Sequence, residues 1–179
     1  MIEIIIIIAT LSIVIPSIYS FWIGAPILYS PQKAIREALR TLPLKKNTRF
    51  VDLGMGNGRT LAVAAKEFGL TVHGFELAPF VFLLAKINLW RRGISTAKTS
   101  MENFYHASLC QYDIVFCFLT PKAMDRLRPK FENELKSGAF VISYAFPISR
   151  WIEKEILTSC HPGNVYIYEI GKTSANVRQ

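Results

Sequence analysis

The spacing of apolar and charged positions divides the chain into an uncharged N-terminal segment and a longer region of alternating elements. No Lys, Arg, Asp or Glu occurs from Ile4 to Gln32. A helix needs about 20 apolar residues to cross the hydrocarbon core of a bilayer, and this segment has that length. Tyr19 and Trp22 lie near its end, where an interfacial aromatic belt would place them. Residues 1–25 are therefore predicted to form one transmembrane anchor.

Two alternatives to an anchor remain for this segment. A cleaved signal peptide needs a basic start and a small-residue cleavage site, whereas the early charge is the acidic Glu3 and residues 21–23 are bulky. A buried core helix is the second alternative. Basic residues follow the segment and none precedes it, so the positive-inside rule predicts a single-pass membrane protein with residues 26–179 in the cytoplasm. The basic residues are Lys33, Arg36, Arg40, Lys45, Lys46 and Arg49.

The region after the anchor is predicted to alternate between helices and strands. Helices are expected from Ser30-Pro31 to Pro43, over 59–68 and 79–90, and from Pro121 onward with a break at Pro129. Strands are expected over 49–53, 70–75, 94–99, 114–119 and 139–145. Residues 151–158 and 165–170 flank a His-Pro-Gly-Asn turn and are expected to form a hairpin. This alternation predicts an α/β fold with a parallel sheet covered by helices on both faces.

The charge and the cysteine content of the chain limit the kinds of function that it can have. The formal net charge is +8, and the basic residues are spread along the chain, which favours a basic surface near an anionic membrane over nucleic-acid binding. No two cysteines have a C-x-x-C spacing, so Cys110, Cys117 and Cys160 are predicted to be small buried apolar residues in a reducing compartment. His73, His106 and His161 are isolated, so neither a metal site nor a catalytic triad is expected.

The main candidate for chemistry is a glycine-rich loop between the first strand and the following helix. Gly54, Gly56 and Gly58 have the spacing G-x-G-x-G, and such a loop lets the backbone approach a ligand closely. The helix that follows directs free N–H groups at a carboxylate or phosphate. Glu76 ends the next strand, within reach of a ribose. Taken singly, the loop also fits an ordinary tight turn and Glu76 a surface carboxylate, but together they predict a nucleoside cofactor.

The combination of motifs resembles class I S-adenosylmethionine methyltransferases. The matching residues are the loop from Asp52 to Gly58, Glu76, and Tyr112-Asp113 before the fourth strand, and the resemblance covers nearly the whole chain after Gly24. It implies a methyltransferase domain over 26–179 with a Rossmann-like, mostly parallel seven-stranded sheet and a C-terminal antiparallel hairpin, preceded by one transmembrane helix. It also implies that S-adenosylmethionine is the cofactor. The implied cofactor contacts are Asp52, Gly54, Gly56 and Gly58 at the methionine end, Glu76 at the ribose, and Met101, Glu102 and Asn103 at the adenine.

A narrower similarity concerns the small membrane-anchored protein-lysine methyltransferases related to those that modify the mitochondrial ATP synthase c-subunit and the adenine nucleotide carrier. It rests on the order of an N-terminal span and the segments 24–26, 29–31, 118–121, 134–138 and 143–151. The chain departs from the pattern at Ser108, where an acidic residue is expected, and at Met55 and Asn57, where Cys or Ser and Asp are commoner.

Substrate-site candidates follow or end the fourth and fifth predicted strands, on the side of an open sheet where ligands bind. A lysine amine has an ordinary pKa of about 10.4 and must lose a proton before it can accept a methyl group, so an apolar channel would help. Packing and capping are the alternative roles of these residues. The candidates are Thr120, Pro121, Ser143, Tyr144 and Trp151.

Three functional hypotheses follow. The first is methyl transfer to a lysine of a protein substrate, by a catalytic domain in the cytoplasm. The second is methyl transfer to a small or lipid-like molecule, which the anchor favours equally. The third is a non-enzymatic nucleotide-binding membrane module or an NAD-linked oxidoreductase. Arg59, which stands where a dinucleotide fingerprint has its third glycine, and the terminal hairpin both count against the oxidoreductase.

Overall fold

The computed structural model describes residues 1–7, 10–11, 14–15, 32–158 and 163–171. Residues 2–7, 10–11 and 14–15 are helical with exposed side chains. Within the described residues, no helix combines the length and the apolar character needed to cross a membrane. The remainder of the predicted anchor, together with Ser30 and Pro31, lies outside the described residues.

Residues 32–158 contain four helices, and the ends of these helices agree with local sequence signals. They are α1 Gln32–Thr41, α2 Arg59–Phe68, α3 Pro79–Arg91 and α4 Pro121–Glu134. Both α3 and α4 begin with proline, which lacks the N–H that would be unpaired there. Helix α2 ends at Gly69 with φ 65°, a left-handed conformation that glycine adopts without strain.

Helix α4 continues through Pro129, so the predicted break at this residue is wrong. Proline removes one backbone hydrogen bond and crowds the preceding turn. The helix persists because its apolar side is buried on both sides of the proline, and tertiary packing stabilises helices more than local propensity does. The buried residues are Ala123, Met124, Leu127 and Phe131.

Seven strands form one sheet in the order β3-β2-β1-β4-β5-β7-β6. Strands β1 to β5 pair in parallel, whereas β7 runs antiparallel to both β5 and β6. The mostly parallel seven-stranded sheet with a C-terminal antiparallel hairpin is therefore confirmed. The strands are β1 Arg49–Leu53, β2 Thr71–Phe75, β3 Lys98–Ser100, β4 Ile114–Cys117, β5 Phe140–Tyr144, β6 Glu155–Leu157 and β7 Val165–Glu169.

The edge strands differ most from the sequence-based expectation. Strand β3 begins at Lys98 rather than near Ile94, because Ile94 is buried in the turn after α3 and packs with the core there. Strand β6 is limited to 155–157, and Trp151 lies in the preceding loop. Short edge strands expose fewer unpaired backbone groups to other chains.

Side chains alternate between the two faces of the sheet, and each face has its own core. Phe50 and Phe116 face a cluster formed with α1, α2 and α3. Their neighbours Val51 and Cys117 face a second cluster, formed with α4. The four strands β1, β2, β4 and β5 thus end at one carboxyl edge between two packed layers.

Gly74 in β2 fixes how the loop after β1 packs. A Cβ atom at this position would lie 2.4 Å from Met55 Sδ and 2.7 Å from Leu61 Cδ1. Because Gly74 has no side chain, Met55 is buried directly against β2 and the glycine loop is drawn onto the carboxyl edge. A glycine inside a strand is typical of such a close approach.

Candidate functional site

The glycine loop after β1 is bonded to the end of β2. The backbone N–H groups of Gly54 and Met55 both donate to the Phe75 carbonyl oxygen, at 3.0 and 2.8 Å. Gly54, Gly56 and Gly58 have φ values of 92°, 52° and 75°, a region that favours glycine. The sharp bend therefore depends on glycine at these positions.

The absence of a side chain has a different consequence at Gly56 than at Gly58. A Cβ atom on Gly58 would lie 3.1 Å from Leu89 Cγ, so this glycine permits close packing of the loop against α3. A Cβ atom on Gly56 would meet nothing within 4 Å. Gly56 thus presents bare backbone to open space, which is the arrangement that a closely bound ligand requires.

Glu76 lies beside this bare backbone and is held by main-chain donors. Its Oε2 accepts from the Gly56 N–H at 3.2 Å, and its Oε1 accepts from the Ala78 N–H at 2.9 Å. Burial raises the pKa of Glu76, and the hydrogen bonds from Ala78, Gly56 and Leu77 partly oppose that rise. An ionised carboxylate has about four lone-pair sites, so it can still accept hydrogen bonds from hydroxyl groups.

Asp52 is a second carboxyl group at the same edge. It is buried in β1 and faces α2, where the Thr60 hydroxyl donates to its Oδ2. Burial raises the pKa of Asp52 to about 7, and the negative charge of Glu76 adds to the rise. Two carboxyl groups therefore lie at one strand edge in a protein whose formal net charge is +8.

Residues 101–103 continue directly from β3 and reach the same edge as Glu76. The Glu76 N–H donates to the Ser100 carbonyl oxygen at 3.1 Å, which places the ends of β2 and β3 side by side. Met101 and Glu102 are exposed, and Asn103 Oδ1 accepts from the Tyr105 N–H at 3.1 Å. These residues are available to contact a planar ring system that lies beyond Glu76.

The substrate-site candidates at the end of β4 make structural contacts. Thr120 is the N-cap of α4, because its side-chain oxygen accepts from the Ala123 N–H at 3.4 Å. Pro121 is exposed at the first position of that helix. Phe118 lies just before them and packs edge-on against Tyr144 from β5, with ring centroids 4.8 Å apart.

The candidates at the end of β5 are buried. Ser143 is fully buried, and its hydroxyl donates to the Phe146 carbonyl oxygen at 2.5 Å. Trp151 is a core residue whose Nε1 donates to Glu132 Oε1 at 2.8 Å and whose ring packs edge-on against Tyr168. The carboxyl edge thus brings Tyr144 close to Phe118, whereas the contacts of Ser143 and Trp151 are those of capping and packing.

Sequence reasoning missed several residues that shape the edge. Two of them could have been found from the sequence. Gly74 is a glycine within an apolar strand, and Asn88 is an amide within an apolar helix. Asn88 Nδ2 donates to the Asn57 carbonyl oxygen at 2.7 Å and so holds the loop against α3. Ala145 has φ 73°, and nothing in its sequence context signals this strained conformation.

The cysteines and histidines take varied positions. Cys117 is buried as predicted, whereas Cys110 is exposed on a surface turn, so the prediction for Cys110 is wrong. Its turn begins after Leu109, whose N–H is bonded to Glu134 Oε2 at 2.7 Å, and Cys110 itself faces outward beside Ser108. Cys160 and His161 lie outside the described residues. In the described part of the chain, no His, Cys, Asp and Glu side chains gather in a group that could hold a metal ion.

His73 is a structural residue. It is buried, and its ring nitrogens contact the Tyr112 hydroxyl and, at 2.9 Å, the Ser100 hydroxyl. Burial, together with the charge of Lys98, lowers the pKa of His73 to about 4. The imidazole is therefore neutral at physiological pH and links β2 to β3 and to the turn before β4.

Comparison with known proteins places this geometry in a family. Residues 52–155 match the model of the ANTKMT methyltransferase domain. A protein-lysine N-methyltransferase of Saccharolobus islandicus is 31% identical over 153 residues, which cover 82% of this chain and 94% of the relative. A Mus musculus lysine N-methyltransferase named for the ATP synthase c-subunit is 34% identical over 127 residues, or 70% of this chain, and the match spans only 51% of that longer protein.

A solved structure shows the same fold. An RNA methyltransferase from Salinibacter ruber in complex with S-adenosyl-L-homocysteine superposes with a TM-score of 0.76 at 24% sequence identity, covering 80% of this chain and 94% of that chain. The Rossmann-like methyltransferase fold is therefore confirmed. The family match favours a methyltransferase over the oxidoreductase, and an enzyme over the non-enzymatic module. The chain is an S-adenosylmethionine-dependent methyltransferase that belongs to the ANTKMT methyltransferase domain family.

Proposed function

We propose that this chain transfers a methyl group from S-adenosylmethionine to the side-chain amine of a lysine in a protein substrate. The observation that carries the proposal is the Glu76 carboxylate bonded to the bare backbone of Gly56, with the buried carboxyl group of Asp52 at the same strand edge. When bound, the cofactor supplies a methyl group on a positively charged sulfonium. Two carboxyl groups with raised pKa values suit a ligand that carries a sulfonium and an ammonium charge.

The proposed contacts run along the cofactor in the order in which β1, β2 and β3 lie in the sheet. The loop residues Asp52, Gly54, Gly56 and Gly58 hold the methionine end, since the bend exposes main chain there and the start of α2 favours a carboxylate. Glu76 binds the ribose hydroxyls with its remaining acceptor sites. Met101, Glu102 and Asn103 line the adenine, because β3 ends beside β2 at this edge.

Support for a lysine substrate comes from the relatives and from the surroundings of Tyr144. Both relatives described above are named as lysine methyltransferases, and the one from Saccharolobus islandicus is spanned almost completely by this chain. The Phe118 and Tyr144 rings form an apolar pair at the carboxyl ends of β4 and β5. Apolar surroundings lower the pKa of a lysine amine and so favour the neutral nucleophile. We infer that Tyr144 and Thr120-Pro121 border the path by which the lysine enters.

We further propose that residues 1–25 anchor the enzyme in a membrane and that the methyltransferase domain, residues 26–179, lies in the cytoplasm. Support comes from the absence of charge between Ile4 and Gln32 and from the basic residues that follow. A protein substrate in or near the same membrane would then be within reach.

Methyl transfer can be followed with S-adenosylmethionine that carries a radioactive methyl group, added with the enzyme to a membrane extract. We expect the label in the protein fraction and, after complete hydrolysis, on methylated lysine. The Glu76→Ala enzyme serves as the control and should transfer far less label. Label recovered mainly in the lipid fraction would show that the substrate is a lipid and would overturn the lysine proposal.

Glu76→Ala should weaken the binding of S-adenosylhomocysteine by about 1–3 kcal/mol, the cost of losing a charge-assisted hydrogen bond. Calorimetric titration of the purified protein measures this loss. Glu155→Ala is the matched control, because Glu155 lies on the edge strand β6. An unchanged affinity of the Glu76 variant would show that the ribose assignment is wrong.

The affinity for S-adenosylmethionine should increase from about pH 6 to about pH 8 and binding should release a proton, since a cationic ligand favours the ionised form of Asp52. The cause is the raised pKa of Asp52, about 7 in the folded protein against an ordinary value of 3.8. Calorimetry in buffers of different ionisation enthalpy measures the proton. The folding stability of the unliganded protein changes with pH in the opposite direction to the affinity. Because the folded state binds the extra proton, the free energy of unfolding falls as the pH rises across this range.

The matched variant for this measurement is Asp52→Asn, which keeps the shape of the side chain and cannot ionise. Its affinity should be independent of pH over the same range. A pH-independent affinity in the unmodified protein would contradict the assignment of Asp52 to the cationic part of the cofactor.

The membrane topology can be tested in sealed right-side-out vesicles treated with a protease. We expect the methyltransferase domain to stay intact until detergent opens the vesicles, since it is predicted on the cytoplasmic side. Digestion before the detergent is added would show that the domain lies on the outer side and would contradict the predicted orientation. Release of the undigested chain by a carbonate wash would contradict the anchor itself.

A further inference from the structure

Helix α3 exposes an apolar face that the catalytic proposal does not use. Five large apolar side chains on this helix are between 41% and 76% exposed, and Trp90 is the most exposed of them. Their spacing of three, one, three and three residues places them along one side of the helix. The α3 apolar face consists of Phe80, Leu83, Leu84, Ile87 and Trp90.

The other side of α3 is already used in the core. Val81, Ala85 and Leu89 are buried there, and Leu89 packs against the glycine loop. Helix α3 is thus apolar around most of its circumference, which is typical of a helix buried on two sides. Contiguous exposed apolar side chains of this size are typical of interaction surfaces, whereas single exposed apolar residues are common.

The charged residues of helix α3 and of the turn that follows it all have one sign. From Leu77 to Met101 the sequence contains no Asp or Glu, whereas Lys86, Arg91 and Arg92 are exposed on α3 and the turn that follows it. A bilayer with anionic headgroups is complementary to a helix that combines an exposed apolar stripe with basic charges alone.

We propose that the α3 apolar face binds the surface of an anionic lipid bilayer. Trp90 lies next to the basic residues at the end of the helix, which is the combination found at the level of the headgroups. Helix α3 begins three residues after Glu76, so binding here would hold the carboxyl edge of the sheet close to the membrane. This contact is separate from the N-terminal segment and does not depend on which group accepts the methyl.

Tryptophan fluorescence tests the contact in the full chain. Trp22→Phe removes the tryptophan of the N-terminal segment and leaves Trp90 together with Trp151, which is 3% exposed. The protein is reconstituted into vesicles of phosphatidylcholine with phosphatidylglycerol whose acyl chains carry bromine, a contact quencher. We expect strong quenching, and we expect it to disappear in the Trp22→Phe/Trp90→Phe control.

The basic residues provide a graded second test. Removing the charges with Lys86→Gln, Arg91→Gln and Arg92→Gln should lower the ratio of docked to free helix about fivefold per residue, and added salt should have a similar effect. Unchanged affinity for S-adenosylhomocysteine confirms that these surface variants fold, and it separates a failure of docking from a failure of the proposed catalytic function.

Three results would overturn the proposal. Trp90 could be quenched by acrylamide from the aqueous phase and not by brominated lipid. It could instead be shielded from both quenchers, which would show that the N-terminal segment or a second copy of the chain covers the face. Equal quenching in vesicles of phosphatidylcholine alone, with no effect of the Gln substitutions, would exclude an anionic surface as the partner.

Discussion

The hydrogen bonds that join the loop after β1 to the end of β2 determine the geometry of the whole site. Two main-chain N–H groups share the Phe75 carbonyl oxygen, and a third, from Gly56, binds the Glu76 carboxylate. They can form because Leu53 and Phe75 are paired in register, so that the two strands end at the same level. Without this connection the bare bend, the carboxylate and the start of α2 would have no common orientation.

The electrostatic balance of the site follows from this connection. It brings two carboxyl groups to one edge, where desolvation disfavours the ionised form of both and the charge of Glu76 further disfavours that of Asp52. Positive charge on a ligand relieves that cost. Loss of the methyl group turns a sulfonium into a neutral thioether, so part of the attraction disappears once the reaction has occurred. In the proposed cofactor site, the two carboxyl groups would therefore attract the methyl donor more strongly than the product.

Much of this arrangement could be predicted from the sequence, because the signals are local. The positions of the central strands, the glycine bend and Glu76 follow from short patterns of apolar residues, glycines and a carboxylate. Other features depend on distant partners: Pro129 is accommodated by burial of α4, and Trp151 belongs to the core beside Tyr168 rather than to a strand. The exposure of Cys110 depends on the turn held by Glu134, and no local pattern encodes it. The roles of individual residues toward cofactor and substrate remain predictions.

The position of β7 between β5 and β6 has a consequence for biosynthesis. Strand β6 pairs with β7 alone among the described strands, and β5 pairs with β7 on its outer side. As the chain leaves the ribosome, β5 and β6 appear first, and the strand that must separate them appears last. Until then β5 is an open edge to which other nascent chains could pair. Shielding of the β5 edge by a chaperone would therefore matter most before β7 has left the exit tunnel.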